Sequence, residues 1–335
     1  VRFGVNAGNS IQSGGNQNTV VGDEAGTALN TGIENVLVGY ATGDALTDAD
    51  FNVAVGRASL STDTRGSKST AIGQGTLNTQ NFTSPTDTFN TAVGYFAGLS
   101  VTTGVQNTLI GGLAGDALQG SSDNTAVGYQ ALGSATTGNE NTAIGHSALF
   151  TNILSDRNVA IGVDALNAHN QATSVDSYNT AVGYNAGAAV TTAVRNTLIG
   201  ALAGDANTVG TDIVAVGYEA LTAFNRTSGA SKVVGIGNYA FNQLTTGTQN
   251  TAVGHEAGYS QTNVNNSAFF GYRAGFAVTT GTRNVLIGAL AGDALTDADD
   301  NTALGDNSLG TDTLGSKSTA IGQGALFAQN FTTAT

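Results

Sequence analysis

The chain has 335 residues, of which 47 are glycine, one is proline and none is cysteine, methionine or tryptophan. Without cysteine there is no disulfide framework, thiolate nucleophile or zinc–thiolate site, and three scattered histidines argue against a histidine-rich metal centre. The formal charge of −13, from 11 basic and 24 acidic residues, argues against nucleic acid and anionic lipid as partners.

The placement of apolar residues argues against both membrane insertion and disorder. No apolar run approaches the length of about 18 residues that a membrane span requires. Hydrophobic residues make up 40% of the chain and recur at regular positions, which a disordered chain does not need. Because Val1 begins the sequence without an initiator methionine or a signal peptide, we expect an internal or processed piece of a longer protein.

One short string, Asn-Thr-Ala-Val-Gly, recurs along the chain, and we number each copy from its glycine as position 0. Fourteen of the 18 intervals are 17 residues long, and the others are 18, 20, 21 and 21. The longer intervals predict insertion loops near 78–89, 167–178 and 225–232. In chain order the 19 glycines are Gly4, Gly22, Gly39, Gly56, Gly73, Gly94, Gly111, Gly128, Gly145, Gly162, Gly183, Gly200, Gly217, Gly237, Gly254, Gly271, Gly288, Gly305 and Gly322.

The residues before each glycine predict a short β-strand. Position −1 is apolar throughout, position −2 is mostly Ala or Leu, position −3 is mostly Thr or Val, and position −4 is Asn in 13 copies. Examples are Val93, Ile110, Val127 and Ile144 before Gly94, Gly111, Gly128 and Gly145, with Asn107, Asn124 and Asn141 at the start of three of these strands.

A period of 17 residues predicts the fold class. Helical repeats have periods of about 33 to 47 residues and propeller blades need about 40 or more. One strand and one turn every 17 residues instead predict an all-β, parallel β-solenoid (β-roll) of about 19 coils, as a single continuous array over 1–335.

The strand is apolar on both faces, although alternate residues point to opposite sides. We expect the threonine at position −3 to face the interior of the coil. The Ala/Leu face at position −2 would then need a cover, for which another copy of the chain is the economical choice. The alternative is that small alanine side chains are tolerated in solvent.

Two structural positions have open interpretations. The glycine at position 0 indicates a backbone with positive φ or a close approach between coils. The asparagine at position −4 indicates either a stacked ladder of side-chain amides or a turn preference.

At 124–141 the sequence reads Asn-Thr-Ala-Val-Gly-Tyr-x-Ala-Leu, followed by Thr-Thr-Gly-x-x-Asn. This pattern resembles the head repeats of trimeric autotransporter adhesins (YadA-like) and the related repeats of bacteriophage tail fibres, and the resemblance covers essentially the whole chain. It implies a left-handed β-roll assembled as a homotrimer, with a role in surface attachment. The 17-residue coil is longer than the usual coil of the adhesin heads.

Two sets of side chains are candidate surface sites. Tyrosine recurs directly after the glycine, and this row is a sugar-stacking surface, a solvated ridge or a packing element between chains. Aspartates in the turns suggest a calcium site, although solvated loops would have the same composition. The tyrosines are Tyr40, Tyr95, Tyr129, Tyr184, Tyr218 and Tyr272, and the aspartates are Asp44, Asp48, Asp50, Asp293, Asp297 and Asp299.

No catalytic or cofactor-binding residue is predicted, because no acidic pair or nucleophile motif interrupts the repeat. We expect a shaft segment of a trimeric fibre on a virion or bacterial cell surface. Its partners are further copies of itself and, through a tip outside this segment, a host glycan or protein. The alternatives are an adhesin head that binds a receptor directly, an ice-binding solenoid and a tailspike depolymerase. An inward threonine argues against ice binding.

Overall fold

The computed structural model describes residues 2–226, 229–331 and 333. In this part every regular element is a β-strand, and the chain forms a parallel β-solenoid of about 18 turns. Successive strands are in register at the repeat period, so that Thr125, Ala126 and Val127 lie beside Thr142, Ala143 and Ile144. The predicted fold class and the 17-residue period are confirmed.

The chain packs as two compact units, the first Val1–Asp164 with Asn170–Asp176 and the second Ala165–His169 with Ser177–Thr335. The continuous array over 1–335 stays a prediction. The strands of the first unit are β1 (Arg2–Phe3), β2 (Thr19–Val21), β3 (Val36–Val38), β4 (Val53–Val55), β5 (Gly66–Ser67), β6 (Thr70–Ile72), β7 (Thr86–Asp87), β8 (Thr91–Val93), β9 (Thr108–Ile110), β10 (Thr125–Val127), β11 (Thr142–Ile144), β12 (Ser155–Asp156), β13 (Val159–Ile161) and β14 (Val175–Asp176).

The second unit continues the pattern with one main strand per coil. Its strands are β15 (Thr180–Val182), β16 (Thr197–Ile199), β17 (Thr211–Val216), β18 (Ala230–Ile236), β19 (Thr251–Val253), β20 (Ala268–Phe270), β21 (Val285–Ile287), β22 (Thr302–Leu304) and β23 (Thr319–Ile321).

The long intervals differ from the ordinary coils by additional strand pairing. The predicted insertions at 78–89 and 167–178 contain β7 and β14, which pair in parallel with β5 and β12. The third insertion, 225–232, contains the beginning of β18, and its residues 227 and 228 lie outside the described residues.

The glycine at position 0 combines both predicted properties. Gly128 has φ of 135°, a conformation that residues with a side chain rarely adopt. A Cβ atom on Gly128 would lie 2.5 Å from the carbonyl oxygen of Gly145 in the next coil. Glycine is therefore required here by the backbone conformation and by the distance between coils.

The predicted orientation of the strand is wrong. At β10 and β11 the middle residues Ala126 and Ala143 are fully buried, whereas Thr125 and Val127 on either side of Ala126 are partly exposed. Position −2 therefore faces the interior, and positions −3 and −1 face outward. The physical reason is the limited space inside the coil. The size of the side chain at position −2 is matched to the sizes of the other side chains in the interior.

Interior side chains at positions −2 and +4 compensate each other in size. Where position −2 is Leu109, position +4 of the same coil is Gly115, and a Cβ there would lie 2.8 Å from Leu109 Cδ2. Where position −2 is Ala126, position +4 is Leu132, which is fully buried. Most coils thus fill their interior with one large side chain from one of these two positions, as close packing requires. Where both positions are small, as around Gly98, leucine side chains of the neighbouring coils fill the space.

We predict that Gly115→Ala destabilises the chain by about 1 to 3 kcal/mol, because the new methyl group overpacks the interior against Leu109 and Leu118. Leu109→Ala alone should cost about 2 to 5 kcal/mol. The double variant should lose less than the sum, which denaturant unfolding measures. Gly120→Ala is the matched control, since its Cβ meets only Thr103 Oγ1 at 3.5 Å. If the double variant lost as much stability as the two single variants together, positions −2 and +4 would not compensate each other in size.

The asparagines at position −4 form a buried ladder of amides. Asn107 Oδ1 accepts the backbone N–H of Asn124 at 3.1 Å, and Asn124 Oδ1 accepts that of Asn141 at 3.0 Å. The Nδ2 group of Asn124 donates to the carbonyl of Gly138 at 3.0 Å. The side chain of Asn124 therefore bonds one backbone N–H and one backbone carbonyl of the next coil. Of the two interpretations of this asparagine, the structure shows the ladder.

Asn124→Ala should destabilise the protein by about 2 to 4 kcal/mol, because it leaves the N–H of Asn141 and the carbonyl of Gly138 buried without partners. Hydrogen exchange should show faster exchange at Asn141 than in the parent protein. Gln119→Ala, at an exposed turn position, is the control and should be close to neutral. Equal stability of the two variants would show that the ladder carries little free energy.

Candidate interaction surface

The outward side of the main strands carries two columns of side chains, which we call the outward face. At position −3 the described copies have 11 threonines, six valines and Ala268, and at position −1 they have eight valines, eight isoleucines, two phenylalanines and one leucine. No charged residue stands at either position among the described residues. Because strands are in register, like side chains stack at about 4.8 Å and form continuous columns within each unit.

The outward face leaves large aliphatic groups in contact with solvent. Ile110, Ile144 and Ile199 are 37 to 39% exposed, and Leu304 is 45% exposed. Isolated exposed apolar residues are ordinary, whereas a contiguous uncharged band of them marks an interaction surface.

One rim of the outward face is a row of mostly charged and polar residues at position −5, in which Phe51 and Phe89 are the exposed phenylalanines. Six of the 11 basic residues are here. Three of them, all arginines, pair along the solenoid axis with an acidic residue at the same position of a neighbouring coil. Arg195 Nε lies 2.7 Å from Asp212 Oδ1, and Arg283 Nε lies 2.6 Å from Asp300 Oδ1. The six basic residues are Lys68, Arg157, Arg195, Lys232, Arg283 and Lys317.

These ion pairs perturb the titration of their members. The hydrogen bond from Arg195 lowers the pKa of Asp212 and raises the pKa of Arg195 itself. Arg283 lowers the pKa of Asp300 in the same way. All four side chains are solvated, so the pairs contribute little to stability and instead define a charged edge beside an apolar band.

The opposite rim is the tyrosine row predicted at position +1. All six side chains are exposed, from 40% at Tyr218 to 56% at Tyr184. Tyr129 stacks on His146 with ring centroids 5.5 Å apart, and Arg57 lies 5.9 Å from the centroid of Tyr40. Tyr218 and Tyr272 belong to a larger ring cluster in the second unit. Sugar contact by this row stays a prediction.

The aspartates of the calcium hypothesis do not gather into a ligand set. Among the described residues, no three acidic or histidine side chains lie close enough together to hold a metal ion. Their oxygens instead accept protein hydrogen bonds, as Asp50 Oδ1 does from the N–H of Ile33 at 2.8 Å and Asp299 Oδ1 from that of Thr282 at 2.6 Å. Asp48 pairs with Arg65 at 3.2 Å, and Asp297 accepts the hydroxyl of Thr280 at 2.6 Å.

The remaining two aspartates of that hypothesis, Asp44 and Asp293, are half-buried and occupy position +5. Burial raises the pKa of each, as it does for Asp116 and Asp205 at the same position. Thr222 donates its hydroxyl to Asp205. Asp50, Asp297 and Asp299 therefore serve the coil as separate hydrogen-bond acceptors, whereas Asp44 Oδ1 is buried without a hydrogen-bond partner among the described residues.

A second polar ladder was missed by the sequence analysis. At position +11 a side-chain oxygen accepts the N–H of the same position in the preceding coil, as Asn139 Oδ1 does from Ser122 at 2.8 Å and Asp156 Oδ1 from Asn139 at 2.6 Å. The signal was available in the recurrence of Asp, Asn and Ser at this position.

A buried polar network at position +7 was also missed. Gln80 Nε2 donates to Asp63 Oδ2 at 2.6 Å and lies 3.0 Å from Ser69 Oγ, while Asp63 Oδ1 accepts the N–H of Gly66 at 3.0 Å. Gln329 and Asp312 repeat the first contact at 2.6 Å. The sequence signal was the recurrence of polar residues among apolar ones at this position.

The described surface offers a face rather than a cleft. The described residues enclose no pocket. None of their segments is a helix long and apolar enough to cross a membrane. In comparisons with known proteins, no family model matches the chain, and no curated protein matches it either.

One buried titratable group lies in the part of the insertion 167–178 that belongs to the second unit. His169 occupies position +7, is fully buried, and its Nε2 lies 3.1 Å from Ser177 Oγ. Burial lowers its pKa from 6.5 to about 4, partly opposed by a hydrogen bond with the backbone of Thr191. Other coils have Gln80 and Gln261 buried at this position, so glutamine is a tolerated replacement.

We predict that His169 makes the chain sensitive to acid. Below pH 6.5 the unfolded chain binds a proton at this imidazole, whereas the folded chain does so only near pH 4, so stability falls as the pH falls through this window. The shift corresponds to about 3 kcal/mol. His169→Gln should therefore lose less stability between pH 7 and pH 4.5 than the parent in urea unfolding, and His146→Gln, at an exposed site, should behave like the parent. Parallel losses in all three proteins would contradict the prediction.

Proposed function

We propose that this chain is a structural shaft segment of a homotrimeric extracellular fibre of a virion or a bacterial surface. The observation that carries the proposal is the outward face, an uncharged band of Thr, Val and Ile with a charged rim. This anatomy, an apolar centre bordered by polar residues, is that of a protein interface.

A second copy of the chain is the cover that the face favours. Its columns repeat at the coil spacing, and only a surface with the same axial period can contact every coil in the same way. The number of three copies and the left-handed coil follow from the resemblance to adhesin and tail-fibre repeats. Because the Ala/Leu side of the strand is inside the coil, the proposed contact between copies is on the Val/Ile side.

The role that follows is mechanical and not enzymatic. Backbone pairing, the Asn ladder and the position +11 ladder connect successive coils within each unit. Such repetition supports length and stiffness, and attachment to a host glycan or protein is assigned to a tip outside this segment.

The oligomeric state tests the proposal. Multi-angle light scattering should give three times the 33.4 kDa mass of the chain. The variant Ile110→Glu/Ile144→Glu, which places charges on the outward face, should keep its β-sheet circular dichroism and become monomeric. The control Thr103→Glu/Thr137→Glu changes exposed turn positions and should remain trimeric. A folded parent protein of monomeric mass would refute the proposal.

Ice binding is a second candidate, because the threonines face outward and not inward as predicted. They form a column of β-branched hydroxyls, though paired with Val or Ile and not with a second threonine column. A trimer would bury this face, so the two functions are exclusive. Thermal hysteresis in a monomeric preparation, lost in Thr125→Lys/Thr142→Lys, would favour ice binding, and its absence removes this candidate.

A further inference from the structure

The second unit contains a cluster of six aromatic rings on consecutive coils, which we call the aromatic patch. Tyr239 is its centre, with ring centroids 5.4 Å from Tyr218, 5.9 Å from His255 and 6.5 Å from Tyr259. His255 stacks on Tyr272 at 5.8 Å. Tyr259 stacks on Phe276 at 5.3 Å. The six rings therefore form one connected surface.

The aromatic patch has exposed rings and half-buried rings. Tyr218, His255 and Tyr272, all at position +1, are 40%, 46% and 51% exposed. Tyr239, Tyr259 and Phe276 are half-buried. Arg273 covers the Phe276 ring, with its guanidinium carbon 3.8 Å from the centroid. Rings fixed in this way lose little side-chain freedom when a ligand binds.

The solenoid itself does not require these rings. The coils after Gly183 and Gly271 come from similar sequence blocks and share tyrosine at position +1. Their positions +2 and +5 differ, since the first has Asn185 and Ala188 and the second has Arg273 and Phe276. The repeat thus supplies an internal comparison, and the aromatic patch is a local departure from it.

Polar groups border the aromatic patch without giving it a strong charge. Glu256 Oε2 lies 3.2 Å from Arg273 Nε and 4.0 Å from His255 Nδ1. Asn238 is exposed, and its Oδ1 accepts the backbone N–H of Tyr218 at 2.9 Å. Carboxylate, guanidinium, amide and phenol groups therefore surround apolar ring faces, in a chain whose net charge of −13 disfavours polyanions.

We propose that the aromatic patch binds a neutral polysaccharide. The C–H faces of pyranose rings would lie on Tyr218, His255 and Tyr272, and sugar hydroxyls would exchange hydrogen bonds with Glu256, Arg273 and the phenols. An extended chain is the ligand form that a surface without a pocket accepts, since a small molecule gains its affinity by burial. Because the coils stack, rings on successive coils would contact successive sugar units of one chain, and each contact would add to the binding free energy.

Affinity gel electrophoresis of the full chain tests the proposal, with hydroxyethylcellulose, galactomannan and laminarin as neutral probes and alginate as the anionic probe. At least one neutral polysaccharide should retard the parent protein. Tyr218→Ala/Tyr272→Ala should weaken that binding about tenfold or more. The matched control Tyr40→Ala/Tyr184→Ala removes two tyrosines of the same repeat position, 52% and 56% exposed, and should bind like the parent.

Several results would overturn the proposal. These are retardation by none of the neutral probes, retardation by alginate alone, or equal weakening in the two double variants. A lower oligomeric mass of Tyr218→Ala/Tyr272→Ala without any polysaccharide binding by the parent would identify the aromatic patch as a contact between copies. Unchanged melting temperatures of both variants show that binding, and not folding, is compared.

Discussion

Within each unit, each coil approaches the next through the backbone of one glycine, and the rest of the structure depends on this contact. With φ near 135° and a hypothetical Cβ about 2.5 Å from the next glycine, position 0 admits no side chain. The close approach brings the short strands into register, because it recurs at the same point of every coil. Register in turn stacks identical side chains, and this makes ladders of Asn and columns of Val and Ile possible.

The same constraint explains the composition. Proline would interrupt the pairing between coils, and like charges stacked at strand spacing would repel. Many charged residues therefore lie at position −5, where residues of opposite charge can follow each other in successive coils, as Arg195 and Asp212 do. High glycine content and few charges, which are typical of flexible chains, are here the requirements of a tightly stacked array.

The sequence alone predicted the solenoid, its period and the role of glycine, because these properties repeat at fixed spacing. It did not predict which face of the strand is inside. Alternate residues lie on opposite faces, but Ala126 and Val127 are both apolar, so polarity does not show which of them faces the interior. The orienting signal was the paired variation of positions −2 and +4, as in Leu109 with Gly115 and Ala126 with Leu132. Gln80 and Asp63 lie at the same position of successive coils, but their contact was not predicted, because position +7 is apolar in most other coils.

The central claim is that the outward face, and not the Ala/Leu side, packs against further copies of the chain. Because the chain has no cysteine, a single nitroxide label can be placed at one chosen residue. Pulsed dipolar spectroscopy should give a short distance between copies for a label at Thr142, on the outward face. A label at Thr137, in an exposed turn, should give a clearly longer distance. Absence of dipolar coupling at both sites, or a shorter distance at Thr137, would contradict the account.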